Sequence, residues 1–234
     1  LGMAHALMQA TAHIWEDFVL SSCDNLVPWK DIESMLSLWE TELRPQALLS
    51  LLRVPPEMIH RVGIVKLAGD RVVEIIEKPD PQIAPSNIAS PPLYCFRREF
   101  LEFLPKVKPS ARGEDELQSA IQMLIQADGR VHGHPISKRI DLTTPADLLD
   151  INMMYFARHS ERCFLAINPI DNGTQLIPPY HIEAGVGLGK NCTIGPNVFI
   201  ERDCKIADGV KLENSIFLRE RKVEEGIYKN QIVY

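Results

Sequence analysis

The sequence predicts two units of different class, an α/β domain built around a hairpin and, after it, a short parallel β-helix. Three observations predict this. Apolar strands at Phe18-Val19-Leu20 and Arg139-Ile140-Asp141 each run into an acid, Asp24 and Asp141, and helical patterns follow them, as where α/β sheets collect ligands at strand ends. Between them, Val62 to Leu67 and Arg71 to Glu77 are joined by Ala68-Gly69-Asp70, a turn in which glycine supplies the positive φ of a tight hairpin. From Ile182 onward, apolar residues recur every six positions, the period of a chain wound into flat-sided coils.

Taken in order, residues 3–15 carry Ala4, Leu7, Met8, Thr11 and Trp15 on one helical face. Phe18-Val19-Leu20 reads as a short buried strand. Ile32, Met35, Leu36 and Trp39 repeat at three and four, predicting a helix over 30–42, and the apolar run 47–54 is a strand ended by Pro55-Pro56. The proline-rich polar segment 80–87 is a loop. Pro92 cannot donate to a ladder, so the strand around Tyr94 must begin at an edge or irregularly. A short helix is expected over 97–104. Leu117, Ala120, Ile121, Leu124 and Ile125 give the next helix an apolar stripe that packs on the sheet. After a strand at 131–136, Thr144 as N-cap and Pro145 at the first helical position start a last helix whose apolar face carries Leu148, Ile151, Asn152 and Tyr155.

The hexapeptide repeat places Ile182, Leu188, Ile194, Ile200, Ile206 and Leu212 at the first position, and Val186, Cys192, Val198, Cys204, Val210 and Ile216 at the fifth. Such a repeat is the signature of a left-handed parallel β-helix. Cys192 and Cys204 then belong to its core. The register is expected to break after Leu218, at RERK, with the remaining residues capping the open end. Residues 160–179, with Pro169, Asn172-Gly173 and Pro178-Pro179, read as a linker, dividing the chain into 1–159, 160–179 and 180–234.

Of the 234 residues, 45% are hydrophobic and 24% charged, a globular composition. A net charge of −6 with scattered Lys and Arg argues against a nucleic-acid partner. No apolar run approaches the roughly 20 residues of a membrane span. The five cysteines are odd in number with no C-x-x-C pair, against a disulfide framework or zinc site and in favour of a reducing cytoplasm. His132 and His134 share a strand face but have no third ligand nearby, so they do not make a metal site.

Chemistry is concentrated at strand ends. Glu77, Lys78 and the φ-locked Pro79 form a polar corner in which Lys78 meets an anion and Glu77 accepts from hydroxyls, or merely a solvated strand end. Asp24 and Asp141 converge from separate strand ends and suit a hard cation that keeps several waters; each also reads as a turn acid. Arg112 precedes a helix N-terminus, a good phosphate position, or pairs with Glu114 or Glu116. Gly63 begins the hairpin, where it permits close approach or eases a bulge.

In order, these landmarks resemble the sugar-1-phosphate nucleotidyltransferases, especially the glucose-1-phosphate thymidylyltransferase type. The matching pieces are LGMAHAL at Leu1, FVLSSCDN ending in Asp24 and Asn25, VGIV at Val62, EIIEKP at Glu74, SNIASPPLYCF from Ser86, KPSARGEDEL from Lys108 and RIDLTTPADLLDIN from Arg139. They span residues 1 to about 158. The resemblance implies a Rossmann-like nucleotide-diphospho-sugar transferase domain, incomplete at its N-terminus. It implies Mg2+ on Asp24 and Asp141, Lys78 and Arg112 on the sugar phosphate, and Gly63, Glu77 and Asn87 around the sugar. Gly2 is the remnant of base recognition. The partners implied are a nucleoside triphosphate (dTTP first, then UTP or GTP) and a sugar-1-phosphate, glucose-1-phosphate first. The products are an NDP-sugar and pyrophosphate. Cys23 and Pro92 stand where the family has glycine. The family's glycine-rich phosphate loop and its lysine are absent from the sequence, which therefore reads as the greater part of a longer protein, inactive alone.

Two rivals remain. A non-catalytic relative would keep the fold and assemble through the β-helix, whose exposed edge makes a homo-oligomer plausible. A hexapeptide acyltransferase would need a histidine between coils, and His181 is the sole candidate.

Overall fold

The apolar run at Ala47 becomes the middle of the first unit because it can be covered on both faces. In a computed structural model, which describes residues 2–41, 44–166 and 173–234, the chain divides into two units, Leu1–Asp141 and Leu142–Tyr234. In the first unit, helix α1 (Met3–Ala10) is followed by strands β1 (Phe18–Ser21) and β2 (Asn25–Leu26), helix α2 (Trp29–Trp39) and β3 (Ala47–Arg53). Then come the hairpin β4 (Gly63–Ala68) and β5 (Arg71–Glu77), β6 (Ile88–Ala89), β7 (Leu93–Phe96), helix α3 (Leu117–Gln126), β8 (Val131–Pro135) and β9 (Ile140–Asp141).

Seven strands form one mixed sheet in the order β1-β7-β3-β6-β4-β5-β8, and β3 also pairs with β8. The β3–β8 pair is parallel and the others are antiparallel. Alternation along β3 sends Leu49 into a core with α1, α3, Tyr94 and Phe96, and Leu48 into a second cluster with Met35 of α2 and Cys95. Phe96 stacks on Phe100 at 3.9 Å and closes the first core. Gly69 takes φ +67 in the predicted hairpin turn.

Two expectations are corrected, and a third is met in its irregular form. The helix over 3–15 ends at Ala10 and continues as a 3-10 turn, Thr11–His13; the Thr11 hydroxyl donates to the Met8 carbonyl at 2.8 Å and so competes with the helical ladder. The strand at Phe18 is an edge strand, half-buried in alternation, because β7 alone pairs with it. Pro91 and Pro92 lie in the break between β6 and β7, and the strand that follows is central, paired on both sides by β1 and β3.

The second unit opens with helix α4 (Pro145–Arg158), started by a capping box between Thr144 and Asp147. Backbone and hydroxyl donors of Thr143 and Thr144 hold the Asp147 carboxyl down to about 2. Beyond it the chain winds into parallel coils. Cys163–Leu165, Tyr180–Ile182, Val198–Ile200, Ser215–Phe217 and Ile232–Val233 stack as one side, with a four-strand and a three-strand side completing the coils. Ile194, Val198, Ile200, Cys204, Val210 and Leu212 fill the interior. Asn191, Asn197, Asp203, Asn214 and Asn230 turn corners at positive φ, a backbone state their short polar side chains tolerate. Asn197 donates to Asn214 at 2.8 Å, and Asn214 to Asn230 at 3.1 Å, tying successive corners together.

The predicted linker is corrected here. Cys163–Leu165 pairs with Tyr180–Ile182, and Gln175–Leu176 with Thr193–Ile194, so winding begins before the first recognisable hexad; Pro169 and Asn172 lie outside the described residues. The register break also moves. Val198 to Ile200 pairs with Ser215 to Phe217, a spacing of seventeen where earlier coils have eighteen. The slip at Asn214 therefore puts Phe217 inside in place of Ile216, and Lys222–Val223 continues the coil past RERK.

On the outer surface the Phe164, His181 and Phe199 rings stack at 4.3 and 4.4 Å. Both faces of the His181 ring are thereby covered. Burial lowers the His181 pKa against the opposing pull of Glu183, and Arg162 lowers it further; burial likewise lowers that of His134, against Asp31. Both imidazoles therefore take up a proton less readily in the folded chain than in the unfolded chain, which protonates near 6.5. Stability from this source is complete above pH 6.5 and is lost as pH falls through the folded pKa values. Denaturant midpoints should fall between pH 7.5 and 5.5, and His181→Phe, which extends the aromatic ladder, should remove part of that fall. An unchanged pH slope in the variant would rule out the stacked histidine as a source.

Candidate active site

The hairpin register sets Gly63 opposite Glu77. The end of β5 therefore delivers its carboxylate to the start of β4, and the next residue, Lys78, turns away with φ +47 while its N–H donates to the Val62 carbonyl at 3.1 Å. A lysine in the left-handed region ahead of a proline is strained. The strain aims its ammonium back along the corner, 3.7 Å from Glu77 Oε1. At the neighbouring strand ends, β1 leads into Asp24 and β7 is preceded by Ser90 and Pro92.

These ends enclose a pocket of about 270 Å³ lined by residues that include Ser22, Asp24, Arg61, Gly63, Glu77, Lys78, Ser90, Gln118 and Arg139. Its floor holds unanswered polar atoms. Glu77 Oε2 and Ser90 Oγ are buried and have no hydrogen-bond partner among the described residues. Burial raises the Glu77 pKa; Lys78 opposes that shift, Glu116 adds to it and Arg112 opposes it. Tyr94, fully buried beneath, donates from its hydroxyl to the Ser90 carbonyl at 2.8 Å. Gly63 is needed for closeness, since a Cβ there would sit 3.0 Å from Glu77 Oε2 and 3.3 Å from Gln118. A floor of buried acceptors and hydroxyls under a rim of cations suits a polyhydroxylated, anionic ligand.

Of the predicted residues, Asp24, Gly63, Glu77 and Lys78 come together in this pocket. Arg112 stands beside it, its guanidinium donating to Glu116 at 2.7 Å, the ion pair that was the alternative reading. Asp141 reaches the same region through the backbone: β2 and β9 pair antiparallel, placing Asn25 opposite Asp141 and hence Asp24 one residue from the pair. The Asp141 carboxylate is held by Arg139, whose Nε and Nη2 both contact Oδ1. Two predicted residues are elsewhere. Asn87 does not line the pocket, because its side-chain oxygen accepts from Arg53 at 3.2 Å. Gly2 also does not line it; it packs on Asp115, where a Cβ would lie 2.4 Å from the carbonyl oxygen.

Arg61, Ser90, Gln118 and Arg139 were missed. Gln118 looked like one polar residue on an amphipathic helix, and Arg61 like a loop cation; only folding aims them at the hairpin. Arg139 carried a signal, lying two residues before Asp141 and so on the same strand face.

For a divalent cation the donor chemistry fits. Asp24 is an exposed carboxylate at the rim, Asp141 lies across the β2–β9 pair from Asn25, and the Asn25 amide is buried with neither atom partnered among the described residues. Among those residues no three His, Cys, Asp or Glu side chains converge, so a cation here would retain several waters, as magnesium does.

The profile of a family described as "Nucleotidyl transferase" matches residues 1–158, and that of a "GMPPB C-terminal domain" matches residues 176–233. The chain belongs to the nucleotidyl transferase family. Glucose-1-phosphate thymidylyltransferase of Streptomyces griseus is 29% identical over 94% of the chain and 64% of its own length. Bifunctional protein GlmU of Thermodesulfovibrio yellowstonii is 25% identical over 92% of the chain and 49% of its own length. The chain thus spans about half to two-thirds of these relatives. UDP-glucose pyrophosphorylase complexed with UDP-glucose superposes with a TM-score of 0.60 at 21% identity, over 67% of this chain and 62% of that one, a likeness of fold. No helix among the described residues is long and apolar enough to cross a membrane.

Proposed function

We propose that this nucleotidyl transferase chain serves the transfer of a nucleotidyl group from a nucleoside triphosphate to a sugar-1-phosphate, releasing pyrophosphate, with dTTP and glucose-1-phosphate as the favoured pair. The observation that carries the reading is the pocket in which Asp24, Gly63, Glu77 and Lys78 meet over the buried, unpartnered Glu77 Oε2 and Ser90 Oγ. In this reading the sugar hydroxyls donate to Glu77 and Ser90 while Gly63 lets the ring approach the strand. Lys78 and Arg61 face the sugar phosphate, and Arg112, released from Glu116, joins them. The attacking atom is the phosphate oxygen of the sugar, so little covalent chemistry falls to the protein: its task is to orient two repelling anions and neutralise them. Asp24 and Asp141 would hold Mg2+, which would supply neutralisation of phosphate charge.

The name of the Streptomyces griseus relative supports this class of substrate. The test joins calorimetric binding of glucose-1-phosphate and mannose-1-phosphate with pyrophosphate release from dTTP, UTP and GTP. The 234-residue chain, whose sequence has no glycine-rich phosphate loop, is expected to bind one sugar phosphate and release little pyrophosphate. Asp24→Asn and Asp141→Asn should weaken magnesium-dependent binding. A folded chain that binds neither sugar phosphate would overturn the reading and leave assembly through the β-helix as its role.

A further inference from the structure

Arg139 is a pocket residue whose chemistry the reaction above leaves unused. It lies on β9's approach, and alternation puts its side chain on the same strand face as Asp141, two residues on. The guanidinium spends two donors, Nε and Nη2, on one oxygen of that carboxylate, a poor use of a planar fork that matches two oxygens. Arg139 also lines the pocket, together with Asp24, Arg61 and Lys78. The pair is accessible, with side-chain exposures of 20% for Arg139 and 34% for Asp141. Across the strand pair from Asp141, the buried Asn25 amide has no partner among the described residues.

Charge at the pocket points the same way. Asp24 and Glu77 line the pocket with Arg61, Lys78 and Arg139, so three cations meet two carboxylates there, and the third carboxylate at the site, Asp141, is the one that Arg139 holds. A divalent cation entering the pocket meets Arg61, Lys78 and Arg139 and finds one oxygen of Asp141 held by Arg139. A phosphate entering it meets three cationic groups, and the fork of Arg139 gains a better partner than a single carboxylate oxygen.

We propose that Arg139 is a two-position counter-ion that occupies Asp141 while the pocket is empty and transfers to the phosphate of an incoming anion, freeing Asp141 for the divalent cation. Arg139 acts here as a positioning residue, and the consequence is thermodynamic coupling. Anion and metal each bind more tightly in the presence of the other, by the same factor, because both require the same displacement of the guanidinium. The inference rests on the functional reading above for the identity of the anion.

The test is Mn2+ binding to the 234-residue chain, followed by electron paramagnetic resonance, with and without glucose-1-phosphate. The wild-type chain should bind Mn2+ weakly when empty and about tenfold more tightly with the sugar phosphate. Arg139→Gln should bind Mn2+ about tenfold more tightly when empty and show little further gain on adding the anion, since the competing charge is gone. Arg139→Lys, which keeps the charge in a compact single-headed form, should fall between them, and it carries the test if the glutamine variant fails to fold. Asp141→Asn should weaken Mn2+ binding in both backgrounds. An Arg139→Gln protein with wild-type affinity for Mn2+ when empty, or with undiminished coupling, would overturn the proposal. Loss of glucose-1-phosphate binding by the wild-type chain would instead overturn the functional reading, so the two failures are distinct.

Discussion

Lys78→Ala is expected to raise the dissociation constant for glucose-1-phosphate about 10- to 100-fold, the loss that follows from removing one charge-assisted hydrogen bond of about 1.5–3 kcal/mol. Lys78→Gly should weaken binding equally. The two variants part in stability. Ordinarily alanine is the more stabilising replacement, by about 0.4–1 kcal/mol, because glycine leaves the unfolded chain freer. At φ +47 the order reverses, since a Cβ in the left-handed region costs about 1–2 kcal/mol. Lys78→Gly should therefore have the higher denaturant midpoint, with isothermal calorimetry reporting the shared loss of affinity. Equal midpoints, or an alanine variant the more stable, would show that the corner is not held at positive φ. Both variants also deprive the buried Glu77 carboxylate of its closest cation, 3.7 Å away, which moves its already raised pKa higher still.

Gly195→Ala should cost about 3 kcal/mol or more and act on the β-helix. Gly195 has φ +111, and a Cβ there would lie 1.8 Å from the Ile177 carbonyl oxygen. Neither backbone can yield, because Gly195 donates to the Leu212 carbonyl at 2.9 Å and Ile177 to that of Ile194 at 2.8 Å. Gly209 supplies the control. Its φ is +71 but the nearest atom to an added Cβ is 3.9 Å away, so Gly209→Ala should pay the backbone term alone, about 1–2 kcal/mol. Circular dichroism through urea unfolding would separate them; similar losses in the two variants would contradict the packing of that corner.

The order of elements was legible before folding because it rests on local chemistry. The turn at Gly69, the N-cap at Thr144 with Pro145 behind it, and the period of six that buries Ile194, Ile200 and Cys204 each depend on neighbours in the chain. The same holds for the polar corner, where Glu77, Lys78 and Pro79 are consecutive. What escaped was whatever a long-range pairing decides. The slip at Asn214 hands the interior to Phe217 because coils stack by register across sixteen to eighteen residues, and no hexad count reveals that. Cys163–Leu165 joins the β-helix though its sequence has no hexad to announce it.

The site divides along the same line. By itself the sequence determined which groups carry charge and where strands stop, and so named Asp24, Gly63, Glu77 and Lys78. Only the tertiary structure decided who meets whom: Asn87 answers Arg53, Arg112 answers Glu116, and Arg139 holds Asp141. Charged side chains reach several ångströms and choose partners by geometry, whereas backbone conformation and burial periodicity follow from covalent neighbours. A residue's chemistry is therefore written in the chain, while its partner is settled only when distant strand ends come together.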